Sequence, residues 1–306
     1  MHTLIAGGTG FLGRALAAAL TGAGHDVTVL TRRAGAQDGQ RPFSSVRLVR
    51  WDPDGGLGPW ARSCGSVDCV INLAGESIAA RRWTDTHKAI LSGSRILSTR
   101  SLVAFVRQAS PHPSLFVSAS AIGYYGEGGD KALDEQTPSG GDFLSRLVAD
   151  WEQEARRAES ASTRVAMVRT GIVLDPREGA LAKMLTPFRL GAGGRFGSGR
   201  QYMSWIHRDD WLSLLLWLLG TPGAEGPYNA TAPAPVTNAA FVRTLGSVLG
   251  RPAIVPVPRF ALKLALGEMA GPLLLFSQRV LPIRATAGGF TFRFPELEPA
   301  LRDLIG

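Results

Sequence analysis

LIAGGTGFLG, residues 4–13, decides how the rest of the chain is read. Leu4 to Ala6 is the short apolar run of a buried strand, and Phe11 to Ala23 is rich in good helix formers. The glycines between them therefore mark a strand–turn–helix unit. Gly7, Gly10 and Gly13 cross that turn at GxxGxxG spacing. Backbone N–H groups at a helix N-terminus can hold a pyrophosphate only where no side chain blocks the approach. The stretch thus predicts a dinucleotide site at the opening of an α/β fold.

Working outward, DVTVLTRR, VRLVRWD, VDCVINLAG, PSLFVSASAIG and TRVAMVRTGIVL repeat the pattern of short, β-branched-rich runs bounded by turn residues. Helical patterns separate several of them, most clearly Thr84 to Gln108 and Phe143 to Ser160. Strands alternating with helices imply right-handed crossovers and a doubly wound parallel sheet. After Leu174 the texture changes to the glycine-rich RLGAGGRFGSGRQ, a helix in SWIHRDDWLSLLLWLL capped by Asp209 or Asp210, an edge strand in GPYNATAP, and Pro-broken segments. The expected division is a dinucleotide-binding domain over 1–174, with a return contribution near 202–230, interlocked with a smaller mixed α/β lobe over 175–306.

The chain of 306 residues carries a net charge of +8, but its basic residues are scattered and no aromatic–basic stripe accompanies them, which argues against nucleic acid as a partner. Its two cysteines, Cys64 and Cys69, form neither a zinc pattern nor a disulfide framework and suit a reducing cytoplasm. The opening MHTLIAGGTG lacks the pattern of a secretory signal. Trp211 to Gly220 and GPLLLFSQRVLP near Gly271 fall short of the ~20 residues of a membrane span and read as buried helices. No membrane or metal is expected; a homodimer is admissible, and oligomeric state stays open.

The end of the second strand bears on cofactor choice. An NAD site usually places a carboxylate there for the ribose hydroxyls, but this chain has Thr31-Arg32-Arg33. A guanidinium can pair with a 2′-phosphate and stack on adenine, so NADP(H) is expected over NAD(H).

Taken together, GGTGFLG, Asp52 after the third strand, Asn72 to Gly75 after the fourth and SASAIGYYG resemble an extended short-chain dehydrogenase/reductase. INLAGESI, RRW, the GSR at Gly93 to Arg95, GGDFLS, DWE and the block from Gly289 to Leu297 resemble an atypical "epimerase family protein" subgroup with a C-terminal domain of unknown function. The resemblance implies that Gly7, Thr9, Gly10, Phe11, Leu12 and Gly13 meet the pyrophosphate and Thr31 and Arg32 the adenosine phosphate. Asp52 would lie near adenine, Leu73, Ala74 and Gly75 by the ribose, and Ile172 on the nicotinamide side. Arg95 would reach a cofactor phosphate.

Active members of the wider family use a serine, a tyrosine and a lysine. By the resemblance Ser120 keeps the serine place, but the tyrosine place falls near Leu144 or Ser145 and the lysine place near Val148 or Ala149. No tyrosine lies between Tyr125 and Tyr202, so a shifted count does not restore the motif. Tyr124 or Tyr125 could still donate a proton as a neutral phenol. Glu76 and His207 are further polar groups that could converge on a substrate pocket. Two functions are therefore carried forward: an NADP(H)-dependent oxidoreductase or epimerase-like enzyme acting on a small carbonyl or sugar-derived substrate, and a non-catalytic NADPH-binding sensor.

Overall fold

A computed structural model describes residues 1–32 and 46–306. Thirteen strands occur among them: β1 His2–Ala6, β2 Asp26–Thr31, β3 Val46–Arg50, β4 Cys69–Asn72, β5 Leu115–Ala121, β6 Ala132–Leu133, β7 Arg164–Thr170, β8 Ile172–Leu174, β9 Tyr202–Met203, β10 Trp205–His207, β11 Gly226–Ala230, β12 Val236–Thr237 and β13 Arg279–Val280. Ten α-helices connect or cover them: α1 Phe11–Gly22, α2 Trp60–Cys64, α3 Asp85–Gln108, α4 Phe143–Arg156, α5 Gly179–Arg189, α6 Arg208–Gly220, α7 Asn238–Leu249, α8 Arg259–Leu266, α9 Ile283–Ala287 and α10 Leu297–Ile305.

Seven strands form one sheet in the order β11-β7-β5-β4-β1-β2-β3, every neighbouring pair parallel. The strands are buried on both faces because successive side chains point to opposite layers. Ile5, Val29 and Ile71 meet Leu16 and Leu20 of α1 and Leu214 and Leu218 of α6 on one side. On the other, Leu4, Leu30, Val70 and Phe116 meet Trp60 of α2, Leu102 and Phe105 of α3 and Ala155 of α4. The doubly wound architecture expected from the strand–helix alternation is the observed one. Its strand order reverses between β1 and β4, which opens a crevice beyond their carboxyl ends.

A third core unites α5, α7 and α10 through Leu185, Phe188, Phe241, Leu245, Leu297 and Leu301. The single strand expected over TRVAMVRTGIVL divides at Gly171 into β7 and β8, and β8 leaves the large sheet to pair with β10. Gly171 permits the departure, since a Cβ there would stand 2.5 Å from the Ser204 carbonyl oxygen. GPYNATAP supplies the edge strand β11.

Two local expectations are corrected. The N-cap of α6 is His207, whose Nδ1 accepts the Asp209 N–H at 3.0 Å. Asp210 instead accepts the backbone N–H groups of Arg293 at 2.8 Å and Phe294 at 2.9 Å, tying the C-terminal segment to α6. GPLLLFSQRVLP is not a buried helix: Gly271–Leu275 makes one π-helical turn with no fully buried residue, and the chain then extends into β13 beside β6. Phe276 takes extended backbone at φ −70° and ψ 141° and ends the turn, and Pro282 bars a helix from resuming through the end of the segment.

Candidate functional site

The crevice is shaped by the glycines of the first turn. Gly7 has φ +77°, and a Cβ on it would lie 2.5 Å from the Leu73 carbonyl oxygen, so only glycine lets the turn approach the end of β4 this closely. A Cβ on Gly13 would lie 2.2 Å from the Gly7 carbonyl oxygen, which is why the third glycine is needed for α1 to pack against the turn. Gly10 occupies the N-cap of α1, no acidic residue stands in the first turn, and the N–H groups there have no partner within the helix. Those donors and the helix dipole make the spot suited to an anion.

Gly7, Thr9, Gly10, Thr31, Arg32, Leu73, Ala74, Gly75 and Glu76 line one cleft, so the structure brings together most of the residues expected at the cofactor. Arg32 is exposed and is the one cation among the described lining residues, at the end of β2. Arg33 lies outside the described residues. Leu30, Trp51, Pro53, Ser94 and Ser98 also line the cleft and were not expected from sequence. Strand register accounts for Leu30, which adjoins Thr31, while Ser94 and Ser98 are one helical turn apart on α3. Trp51 and Pro53 flank Asp52, which is exposed but is not among the lining side chains.

Phe11, Leu12 and Ile172 are placed differently. Phe11 and Leu12 pack against the core beneath α1, leaving their backbone at the anion-binding turn. Ile172 packs into the α5–α7–α10 core. Arg95 sits behind the cleft rather than in its lining: its guanidinium donates to the carbonyls of Leu91 at 3.1 Å and Glu76 at 3.0 Å and packs against Gly75. Burial lowers its pKa to about 10. Ser94 Oγ accepts the Glu76 N–H at 3.0 Å, so α3 holds the loop after β4 from two sides.

The chemistry expected of Ser120 and Tyr125 is changed by their surroundings. Ser120, only 4% exposed, donates to Glu152 Oε1 at 2.6 Å. The same carboxylate receives Arg169 Nε at 2.8 Å and Nη2 at 2.9 Å, a two-point ion pair buried between β7 and α4. Arg169 Nη1 also donates to Tyr125 Oη at 3.0 Å, and Tyr125 donates to Asn229 Oδ1 at 2.7 Å. Burial would pull the Arg169 guanidinium down, but its bonds to Glu152 outweigh this and hold it above its ordinary range. Burial pushes the Tyr125 phenol up to about 12, against the opposing pull of Arg169 and Asn229. Both hydroxyls are therefore engaged in joining β5, β7, β11 and α4. Tyr124 is different: it is half-buried, and its ring is stacked by the Arg169 guanidinium at 3.6 Å.

One turn and more before Glu152, α4 turns apolar side chains inward. Leu144, Leu147 and Val148 are buried with Leu91, Trp83 and Met269. His207 is fully buried away from the cleft, stacked on Phe294 with ring centroids 4.0 Å apart. Burial lowers its pKa against the opposing pull of Asp209, Asp303 and Asp210, and Nε2 lies 3.3 Å from Asp303 Oδ2. His207 holds the start of α6 and does not face a substrate pocket. Cys64 and Cys69 are buried free thiols.

Comparison with known proteins agrees with this geometry. Residues 3–230 match the model of the NAD dependent epimerase/dehydratase family, and residues 257–304 match a domain of unknown function, DUF1731. "Epimerase family protein Mb2239" of Mycobacterium bovis is 41% identical over 97% of this chain and 95% of its own. Human "epimerase family protein SDR39U1" is 38% identical over the full length of both chains. A crystal structure of the human protein (isoform 2) with NADPH superposes with a TM-score of 0.89 at 37% identity, covering 99% of each chain. A Corynebacterium glutamicum structure described as a nucleoside-diphosphate sugar epimerase gives 0.79 at 33% identity, covering all of this chain but 58% of that one.

Proposed function

The chain belongs to the NAD-dependent epimerase/dehydratase family, and we propose that it binds NADP(H) in preference to NAD(H) as an oxidoreductase or epimerase-like enzyme for a small carbonyl or sugar-derived substrate. The observation that carries the cofactor preference is the exposed Arg32 at the end of β2, in a cleft with no carboxylate at that point among the described lining residues. The NADPH in the human relative supports the same reading. The first turn of α1 would hold the pyrophosphate, Arg32 the 2′-phosphate, and Leu73 to Gly75 the ribose side. Bound NADPH supplies a hydride.

The usual Tyr–Lys pair is absent from this proposal, because α4 directs Leu144 and Val148 into an apolar cluster. Of the two adjacent phenols, Tyr124 is the proton donor we assign, since the hydroxyl of Tyr125 already bridges Arg169 and Asn229. Arg32→Glu should weaken NADPH binding about tenfold or more while leaving NADH nearly unchanged, as measured by cofactor fluorescence titration. Equal affinities for the two cofactors in the parent protein would overturn the preference. A second reading, a non-catalytic NADPH sensor, is favoured by the engagement of both Ser120 and Tyr125 in one buried network. Multiple-turnover NADPH oxidation with a panel of carbonyl and sugar-derived substrates separates the two. Turnover lost in Tyr124→Phe supports the enzyme, and no turnover by cofactor-loaded protein supports the sensor.

A further inference from the structure

Among the described residues, the four most exposed large hydrophobic side chains are Ile254 at 81%, Leu190 at 79%, Leu264 at 77% and Phe260 at 74%. They are not scattered. Phe260 and Leu264 stand one turn apart on α8, whose single buried residue is Leu262. Ile254 precedes α8, in a segment bonded to the loop that follows Leu190: Val255 N donates to the Gly193 carbonyl at 3.1 Å and Val257 N to the Arg195 carbonyl at 2.8 Å. Two segments far apart in sequence thus share one surface.

The same segments are exclusively basic. Arg189, Arg195, Arg200, Arg251, Arg259 and Lys263 are all exposed. No Asp or Glu occurs from Gly179 to Arg208 or from Gly226 to Gly267. The next acid, Glu268, is paired with Lys88 at 2.5 Å. Arg259 and Lys263 are one turn apart on α8, beside the Phe260 and Leu264 stripe. An apolar surface bordered by cations without an ion-pair partner among the described residues is complementary to an apolar phase with an anionic boundary.

We propose that this surface binds peripherally to a bilayer containing anionic lipid. Helix α8 lies in the interface with Phe260 and Leu264 among the acyl chains and the arginine and lysine groups at the headgroup phosphates. A symmetric contact with a second copy would bring the same six cations against themselves. The attachment differs from a membrane span. The one helix among the described residues long and apolar enough to cross a bilayer, α3, is packed against β4 and α4, with Leu91, Leu102 and Phe105 buried.

Co-sedimentation of the full chain with phosphatidylcholine vesicles, with and without phosphatidylglycerol, tests the proposal. Binding is expected only to the phosphatidylglycerol vesicles and should weaken as salt is raised. Phe260→Ser with Leu264→Ser should reduce it by roughly tenfold or more, and Arg259→Gln with Lys263→Gln should flatten its salt dependence. Unchanged NADPH affinity and circular dichroism show that the variants remain folded. No binding at low salt, or equal binding to both vesicle types, would overturn the proposal. So would a wild-type dimer in light scattering that becomes a monomer in the Phe260/Leu264 variant, because a second copy would then be the occupant.

Discussion

Replacing Arg169 by Met, Glu152 by Leu, and both together tests whether the buried ion pair acts as a unit. Both side chains are almost wholly removed from solvent, 2% and 3% exposed, so neither charge can be rehydrated without opening the sheet–α4 interface. In Arg169→Met the carboxylate keeps only the Ser120 hydroxyl among its side-chain partners, and the expected loss is about 3–5 kcal/mol. Glu152→Leu leaves the guanidinium with the Tyr125 hydroxyl at 3.0 Å, the Glu135 carbonyl at 3.3 Å and the Tyr124 ring. Those neutral contacts soften the loss to about 3 kcal/mol, including about 1 kcal/mol for the Ser120 hydroxyl left without its acceptor. The double variant carries no uncompensated charge and should lie within about 2 kcal/mol of the parent. Urea unfolding followed by tryptophan fluorescence at neutral pH, without cofactor, measures all four proteins. Singles that cost under about 1 kcal/mol, or that simply add in the double variant, would show that the pair is not coupled and that the network does not hold the hydroxyls as described.

Three further outcomes are expected. Gly7→Ala combines a left-handed φ with a Cβ 2.5 Å from a carbonyl oxygen, so it should lower stability by about 1–3 kcal/mol and abolish tight NADPH binding by calorimetry; parent-like affinity would contradict the anion-site reading. Tyr125→Phe should cost about 1–3 kcal/mol by removing the link between Arg169 and Asn229, whereas Tyr124→Phe should leave the unfolding midpoint nearly unchanged; the reverse ranking would reassign the two phenols. The folded-state pKa of His207 lies below its ordinary 6.5, so the unfolded chain binds the proton more readily and stability is lost as pH falls below about 6.5. His207→Gln should flatten thermal-melt midpoints between about pH 7 and 5, and an unchanged slope would exclude this ring as the cause.

The residues that line the cleft were legible where their signals are local. Three glycines, the strand before them and the arginine at the end of β2 lie within the first 32 residues, and each has a steric or electrostatic reason to be where it is. The role of Ser120 and Tyr125 was not legible, because their partners come from elsewhere in the chain. Glu152 is 32 residues from Ser120, and Asn229 is 104 residues from Tyr125. Arg169 was hidden by its context: it stands within the apolar β7, where both faces are covered, and periodicity cannot show where a lone charge will find a counter-ion. His207 was similarly ambiguous, since a histidine before two aspartates can face a pocket or cap a helix, and only the packing of Phe294 over its ring decides. The GPLLL segment misled because apolar composition does not distinguish a helix from a Pro-limited turn.

The Ser120–Glu152–Arg169 contact also limits what could be engineered into this scaffold. Installing tyrosine at Leu144 and lysine at Val148 would not by itself create a short-chain dehydrogenase centre. The new ammonium would enter an apolar cluster without a carboxylate assigned to it, and the serine hydroxyl would still point at Glu152 rather than at a substrate carbonyl. A designer would have to dismantle the ion pair first and replace the cohesion it gives to β5, β7 and α4. The barrier to installing that chemistry is therefore collective, and single-site libraries sampling α4 alone would be expected to miss it.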